Sequence, residues 1–385
     1  MAGHKTERLH GLDHLRALAI LLVLLFHYRI YYGLPEALQS TGLNELAGFG
    51  WSGVDLFFVL SGYLIGDKLL QDMDRFGRIR FSNFYLNRAL RILPAFLAAV
   101  AIYFTVAELR EGRGLQPLWK FLTFTQNIPI DLRLNTFSHA WSLCVEEHFY
   151  LLLPLLLLFL FVTRLHRKAL LIILGFLALG LLIRYLSWVE FVEPQVGRAR
   201  LGAAFQYIYY PTYTRLDGLS VGVAIAALFR YRPHVTERMA RFGDLFLLAG
   251  LLVLAGGYVL FGGYILSERF TTMGTLVFGF PLISLGYGLL VVAALCPGSL
   301  LYRLEFKPMA RLAVLSYAIY LVHKMSNHWI NVELPAYLAL GELSTFLLCL
   351  TAAVLAGALL HHAIEKPFLR LRDRVLSRPA AAPHG

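Results

Sequence analysis

Ionisable side chains recur at defined positions in an otherwise apolar chain. In GLDHLRALAILLVLLFHY (residues 11–28), Arg16 and His27 lie eleven positions apart. On a helix that step is about three turns plus 20° and a rise of roughly 16 Å, so the two share one face. An imidazole at such depth suits acid–base or nucleophilic chemistry, and a guanidinium suits an anion. The competing readings are an arginine that extends to the membrane surface and a histidine that is simply packed and hydrogen-bonded.

GWSGVDLFFVLSGYLI (50–65) carries Asp55, an acid that could hold an imidazole in one tautomer or pair with a buried cation. Gly53 and Gly62 in the same segment allow a neighbouring helix to approach closely. HAWSLCVEEHFYLLLP (139–154) carries Glu146 and Glu147, which point about 100° apart on a helix, so at most one faces a given cavity. In FYLNRALRILP (84–94), Arg88 and Arg91 are three apart, on one face, as a phosphate clamp would need; anchoring at the membrane surface is the alternative. YYPTYTRLDGLSVG (209–222) adds Arg215 and Asp217, read as an internal salt bridge or as chemistry, and LSYAIYLVHK (315–324) adds Tyr317, Tyr320 and His323.

The elements that must position these residues are membrane helices. Of 385 residues, 58% are hydrophobic and 15% charged, with a mean hydropathy of +0.63, far more apolar than a soluble domain. Apolar windows predict an all-α, polytopic integral membrane bundle with about ten transmembrane helices, near 14–32, 49–67, 92–108, 140–162, 169–187, 206–229, 244–262, 272–296, 312–330 and 343–363. The FYLNRALRILP segment falls just before the third of these. The first run reads as a retained span rather than a cleaved leader. With the N-terminus inside, 23 of the 35 Lys and Arg residues fall in inside loops and 7 in outside loops, so both termini are expected in the cytoplasm. The +11 charge is then mostly a cytoplasmic-face property, and its scatter over short loops argues against nucleic-acid binding. Cys144, Cys296 and Cys349 lie in apolar stretches without metal-ligand spacing, so neither a disulfide framework nor a metal site is expected. No loop is long enough for a separate soluble domain. Residues 1–372 are expected to form one transmembrane domain and 373–385 a short disordered cytoplasmic tail. Trp51, Trp141, Tyr207, Tyr209, Tyr210 and Tyr213 are expected near the outer face, as interfacial anchors or as surfaces for sugar rings.

In this orientation arginines gather toward the cytoplasmic ends, whereas His27, Asp55, Glu146, Glu147 and His323 gather toward the outer half. Such a partition fits an enzyme that takes a phosphorylated donor from the cytoplasm and acts on an acceptor in or beyond the membrane. It fits equally a proton-coupled exporter or flippase of a sugar-containing substrate, which would leave its cargo chemically unchanged.

The sequence resembles the membrane-bound acyltransferase 3 family, which includes O-antigen, peptidoglycan and macrolide acyltransferases. The resemblance rests on Arg16 with His27, GVDLFFVLSGYLI, NRALRILP, WSLCVEEHFYLLLP, RLDGL, LSYAIYLVH and the closing EKPFLRLR, in that order. His14, Asn87 and His148 stand where other residues are commoner in the family. The resemblance implies a multi-pass protein of the bacterial inner (plasma) membrane. It implies no permanently bound cofactor, acetyl-CoA or another acyl-CoA as co-substrate, and a hydroxyl of a carbohydrate-containing acceptor. It also implies that Arg16 and His27 are essential, that Arg88 and Arg91 support donor binding with Arg16, and that Glu146 rather than Glu147 is the functional acid. The expected catalytic set is then His27, Arg16, Asp55 and Glu146. His27 would act as general base or as a nucleophile forming an acyl-imidazole, with Asp55 or Glu146 orienting it or placing the acceptor.

Overall fold

The computed structural model describes residues 9–164 and 168–376. Among the described residues the bundle is made of ten long helices: α1 (His10–Tyr32), α2 (Gly42–Phe76), α3 (Phe81–Thr105), α4 (Ser138–Val162), α5 (Leu171–Val192), α6 (Asp217–Tyr231), α7 (Pro233–Phe261), α8 (Gly274–Leu295), α9 (Lys307–His328) and α10 (Glu342–Leu376). No strand occurs among the described residues. The all-α, polytopic membrane architecture is therefore as expected from the sequence.

Ten helices stand where about ten spans are expected, and they differ in how readily each would cross a membrane by length and composition alone. Among the described residues eight helices are long and apolar enough to cross a membrane, and α6 and α9 are not among them. At 15 residues α6 is about 22 Å long, short of a hydrocarbon core of roughly 30 Å. The chain ahead of it is interrupted by a π turn at Phe205–Tyr209, Pro211 and a 3-10 turn at Thr212–Thr214. The 22 residues of α9 suffice in length, but they include Lys307, Arg311, His323 and Lys324. Asp217 of α6 pairs with Arg184 and Lys324 of α9 with Glu111 inside the protein, which is where a bundle admits such groups, whereas Lys307 and Arg311 of α9 are exposed.

Two other boundaries moved. The third span begins at Phe81 rather than near 92, so Arg88 and Arg91 lie within α3 and not ahead of it. At the C-terminal end, α10 continues to Leu376, so residues 373–376 are helical; 377–385, the rest of the expected tail, lie outside the described residues.

Burial sorts the helices into inner and outer members. The most apolar 18-residue window is 78% buried in α2 and 72% in α8, but 11% in α5 and 17% in α7. Helix α1 packs against α2, α8 and α9, and α2 packs most extensively against α6. The α2–α6 contact is close because it is made by glycines: a Cβ on Gly62 would stand 2.1 Å from the Leu219 carbonyl oxygen, and one on Gly222 would stand 2.2 Å from that of Val59. Backbone meets backbone there, as small residues permit in membrane helices. The long connection 106–137 is not a separate domain. It folds over one end of the bundle, where Phe121, Phe137 and Tyr103 stack and the Asn127 amide donates to the Tyr210 carbonyl (3.1 Å) and to Thr212 Oγ1 (3.0 Å).

Candidate functional site

Five helices close around a cavity of about 350 Å³, to which α1 brings Arg16, α2 Ser61 and Lys68, α3 Arg88 and Arg91, α4 Glu146 and Tyr150, and α9 Tyr317 and Tyr320. The helical register explains the convergence. Arg88 and Arg91 point the same way because they are three apart, and Arg16 meets them because α1 and α3 both border α9. Arg16 Nη1 is 3.9 Å from Asp13 Oδ1, on the turn before it. Among the described residues neither Arg88 nor Arg91 nor Lys68 forms an ion pair, and the Arg88 guanidinium stands 5.4 Å from the Tyr150 ring centroid. A walled cavity in which four cations gather, three of them outside any ion pair among the described residues, makes a seat for a polyanion.

Glu146 is the acid at this wall. Its carboxylate accepts from Ser61 Oγ (3.2 Å) and from the Tyr150 hydroxyl. Glu147, turned by about 100°, does not line the cavity. His148 points elsewhere again, with Nδ1 2.7 Å from Thr212 Oγ1.

His27 lies outside this cavity. It lines a second, smaller one of about 100 Å³, with Tyr31, His139, Trp141, Tyr209 and Tyr210. Two carbonyls decide the tautomers here. His27 Nδ1 is 3.0 Å from the Val23 oxygen, one turn back, and His323 Nδ1 is 2.9 Å from the Tyr320 oxygen. A carbonyl only accepts, so each Nδ1 carries the hydrogen. In the neutral rings His323 Nε2 is then an acceptor, and it lies 3.1 Å from His27 Nδ1. The Nδ1–H of His27 is shared between Val23 and His323, which leaves the lone pair on His27 Nε2. His139 completes the group, its ring centroid 6.0 Å from that of His27 and 4.9 Å from that of His323. Beside them Lys324 Nζ donates to Glu111 Oε1 at 2.8 Å, both side chains 2% exposed, and lies 4.7 Å from the Tyr31 ring centroid.

A thin hydrogen-bonded wall divides the two cavities. The Tyr320 hydroxyl, facing the arginine cavity, donates to the His139 carbonyl at 2.7 Å. Ser142 Oγ is 2.6 Å from the same hydroxyl, and since the tyrosine hydrogen is already committed, Ser142 is the donor in that contact.

Asp55 is not beside His27. Arg215 Nη2 donates to its Oδ1 at 2.7 Å, and both side chains are almost fully buried. Phe280, Tyr209 and Trp141 surround that guanidinium at 4.1, 4.7 and 5.2 Å. Asp217 pairs instead with Arg184, Nη1 to Oδ2 at 2.5 Å, so the expected Arg215–Asp217 bridge is replaced by two bridges across helices. Trp51 and Trp141, expected as interfacial anchors, are 1% and 4% exposed; both are interior residues. Of the tyrosines expected near the outer face, Tyr209 and Tyr210 wall the His27 cavity, while Tyr213 is exposed.

The structure thus brings Arg16, Arg88, Arg91 and Glu146 into one cavity, places His27 in the adjoining one, and gives Asp55 to Arg215. Sequence reasoning assigned no role to Lys68, Ser61, Ser142, Lys324 or Glu111. Lys324 was the most discoverable of them, a second ionisable residue next to His323 in an apolar helix. Nothing local marks Glu111.

The family described as Acyltransferase domain matches residues 9–362. The O-acetyltransferase OatA of Staphylococcus aureus (strain NCTC 8325 / PS 47) is 25% identical over 359 residues, 87% of this chain and 54% of that protein. OatA of strain COL aligns with the same identity and coverage. The chain spans about half the length of these curated relatives. No solved structure matches it.

Proposed function

The chain belongs to the acyltransferase domain family (acyltransferase 3), and on that premise we propose that it is a membrane O-acetyltransferase. It moves an acyl group, acetyl in the first instance, from acyl-CoA to a hydroxyl of a carbohydrate-containing acceptor such as a surface polysaccharide, a lipid-linked sugar or a glycosylated small molecule. The observation that carries the reading is the pairing of a cavity in which cations outnumber acids with a histidine of defined tautomer just beyond it. Arg16, Arg88, Arg91 and Lys68 supply the charge that CoA phosphates require. His27 Nε2 supplies the lone pair that acyl transfer requires.

The two cavities suit the two substrates. The larger one, about 350 Å³, lies among the arginines at the N-terminal part of α1, and the thioester arm of the donor runs from it along α1 toward His27. The smaller one, about 100 Å³, is aromatic-walled and admits the hydroxyl-bearing edge of a sugar rather than a whole ring. Both termini are assigned to the cytoplasm, so the donor enters from that side, in the inner membrane of a bacterium. In direct transfer, His27 Nε2 takes the hydroxyl proton as the oxygen attacks the thioester carbon, the C–S bond breaks, and the proton passes to the CoA thiolate. In two-step transfer, the same nitrogen first attacks the thioester carbon and expels the CoA thiolate, and the acceptor hydroxyl then takes the acyl group as the N–acyl bond breaks, its proton passing to the thiolate.

The test uses inverted vesicles of the host membrane, supplied with [14C]acetyl-CoA, and compares wild type with His27→Ala. Base-labile label should enter vesicle glycans only with wild type, while both bind the donor. Transfer by His27→Ala would remove His27 from the chemistry. A wild-type protein that binds no acetyl-CoA, or that exports glycan without labelling it, would replace the transferase reading with the exporter. Mass spectrometry after brief exposure to the donor separates the routes, since an acetylated His27 appears only in two-step transfer.

A further inference from the structure

An imidazole that gains a proton or an acyl group at Nε2 becomes cationic, and its Nδ1–H then needs an acceptor that holds the ring still and takes up that charge. In a catalytic triad a carboxylate serves. Among the described residues no carboxylate hydrogen-bonds to His27 Nδ1. Asp55 is bound to Arg215 at 2.7 Å, and Glu111 is bound to Lys324 at 2.8 Å and to the Phe137 amide at 3.1 Å. Glu146 faces the other cavity and accepts from Ser61 and Tyr150. The Val23 carbonyl is within reach of Nδ1, but it is one turn back on the same helix, where it also belongs to the backbone ladder.

We propose, on the reading that His27 carries the transfer, that His323 is the positioning residue of this site: its Nε2 accepts the Nδ1–H of His27 and so takes the place a carboxylate holds in a triad. The geometry is specific. The rings are tilted by 54° with centroids 4.9 Å apart, and the nitrogen pair is at 3.1 Å. His323 is itself immobilised, fully buried and tied through Nδ1–H to the Tyr320 carbonyl. That tie serves a second purpose, because it forces the lone pair of His323 onto the nitrogen that faces His27. Rotating the ring by half a turn would break the tie and present a carbon to His27 instead.

A neutral acceptor has a consequence that a carboxylate lacks. When His27 becomes an imidazolium, the Nδ1 proton is held between two imidazole nitrogens, and His323 shares the positive charge without a formal ion pair. The neighbouring cation Lys324 remains compatible with this arrangement because Glu111 neutralises it.

Two replacements of similar size separate positioning from packing. His323→Gln keeps an acceptor oxygen near the place of Nε2, whereas His323→Leu fills the space without one. Each is measured as the initial rate of base-labile label entering host-membrane glycans from [14C]acetyl-CoA, over a range of donor concentrations. Donor binding, which occurs in the separate arginine cavity, reports that each variant is folded; His323→Met replaces His323→Leu should the latter not bind, and His323→Glu replaces His323→Gln. The expected result is a fall in kcat of about 10²–10³-fold for His323→Leu, in line with the loss of one acid–base element. The KM for acetyl-CoA stays at the wild-type value, and His323→Gln is about tenfold or more faster than His323→Leu. Wild-type kcat in His323→Leu, or equal losses in the Leu and Gln variants, would overturn the proposal. The two readings fail separately: transfer by His27→Ala sinks the role of His27 itself, whereas an inactive His27→Ala beside an active His323→Leu sinks only the positioning role.

Discussion

Replacing Asp55 tells a structural acid from a catalytic one, and the structure supports a worked expectation. Asp55 and Arg215 have side-chain exposures of 3% and 1% and meet at 2.7 Å. Removing one partner of such a pair costs about 3–5 kcal/mol, because the other charge stays buried and uncompensated. The two single replacements should differ. After Asp55→Leu the guanidinium keeps three ring faces at 4.1–5.2 Å and a 3.4 Å contact to the Tyr209 carbonyl, so the loss belongs at the lower end, about 3 kcal/mol. After Arg215→Leu the carboxylate loses the one side-chain donor the structure gives it, and the loss should approach about 5 kcal/mol. The double variant removes both charges and leaves chiefly the void where the guanidinium was, at about 2 kcal/mol. The double should therefore be more stable than either single replacement. Denaturant unfolding of the protein in detergent measures the order, with CoA binding as the control for fold. Asp55→Leu that unfolds like wild type yet abolishes transfer would refute this reasoning and return Asp55 to the chemistry.

The cationic cavity and its acid lead to two further expectations. Arg88→Ala and Arg91→Ala should each weaken CoA binding by about 10–150-fold, the equivalent of one charge-assisted hydrogen bond of roughly 1.5–3 kcal/mol, as read by equilibrium dialysis with labelled CoA; unchanged affinity in both would remove the phosphates from this cavity. Glu146→Gln should lower transfer by at least about tenfold while Glu147→Gln leaves it near wild type, since only Glu146 reaches the cavity wall; the reverse order in the same vesicle assay would show that the acid acts from the other face of α4.

Features that depend on one helix were legible in the sequence, and features that depend on two helices were not. The shared face of Arg88 and Arg91 follows from their spacing, and the divergence of Glu146 and Glu147 follows from the turn of a helix. The Arg215–Asp217 bridge does not form, since Asp217 opens α6 while Arg215 lies in the turn ahead of it, and each found its partner on another element. Hydropathy windows located ten helices yet did not rank how readily each would cross on its own, since an interior helix is apolar without being long or uncharged. The contact between His27 and His323, 296 residues apart, arises only when α9 packs on α1. No local pattern could assign Asp55 to Arg215 rather than to His27, because a buried acid suits either partner.

The division of the polar interior into two cavities bears on why one helix carries both Arg16 and His27. A single open channel through the bundle would let water reach the thioester and would short-circuit the membrane. The wall of Ser142, Tyr320 and the His139 carbonyl closes that path with two hydrogen bonds, at 2.6 and 2.7 Å. Bonds of this kind contribute about 1 kcal/mol each in net terms, so these two add roughly 2 kcal/mol to whatever packing holds the wall. The helix sets the distance of roughly 16 Å between Arg16 and His27, the span that the donor of the proposed reaction would have to cover.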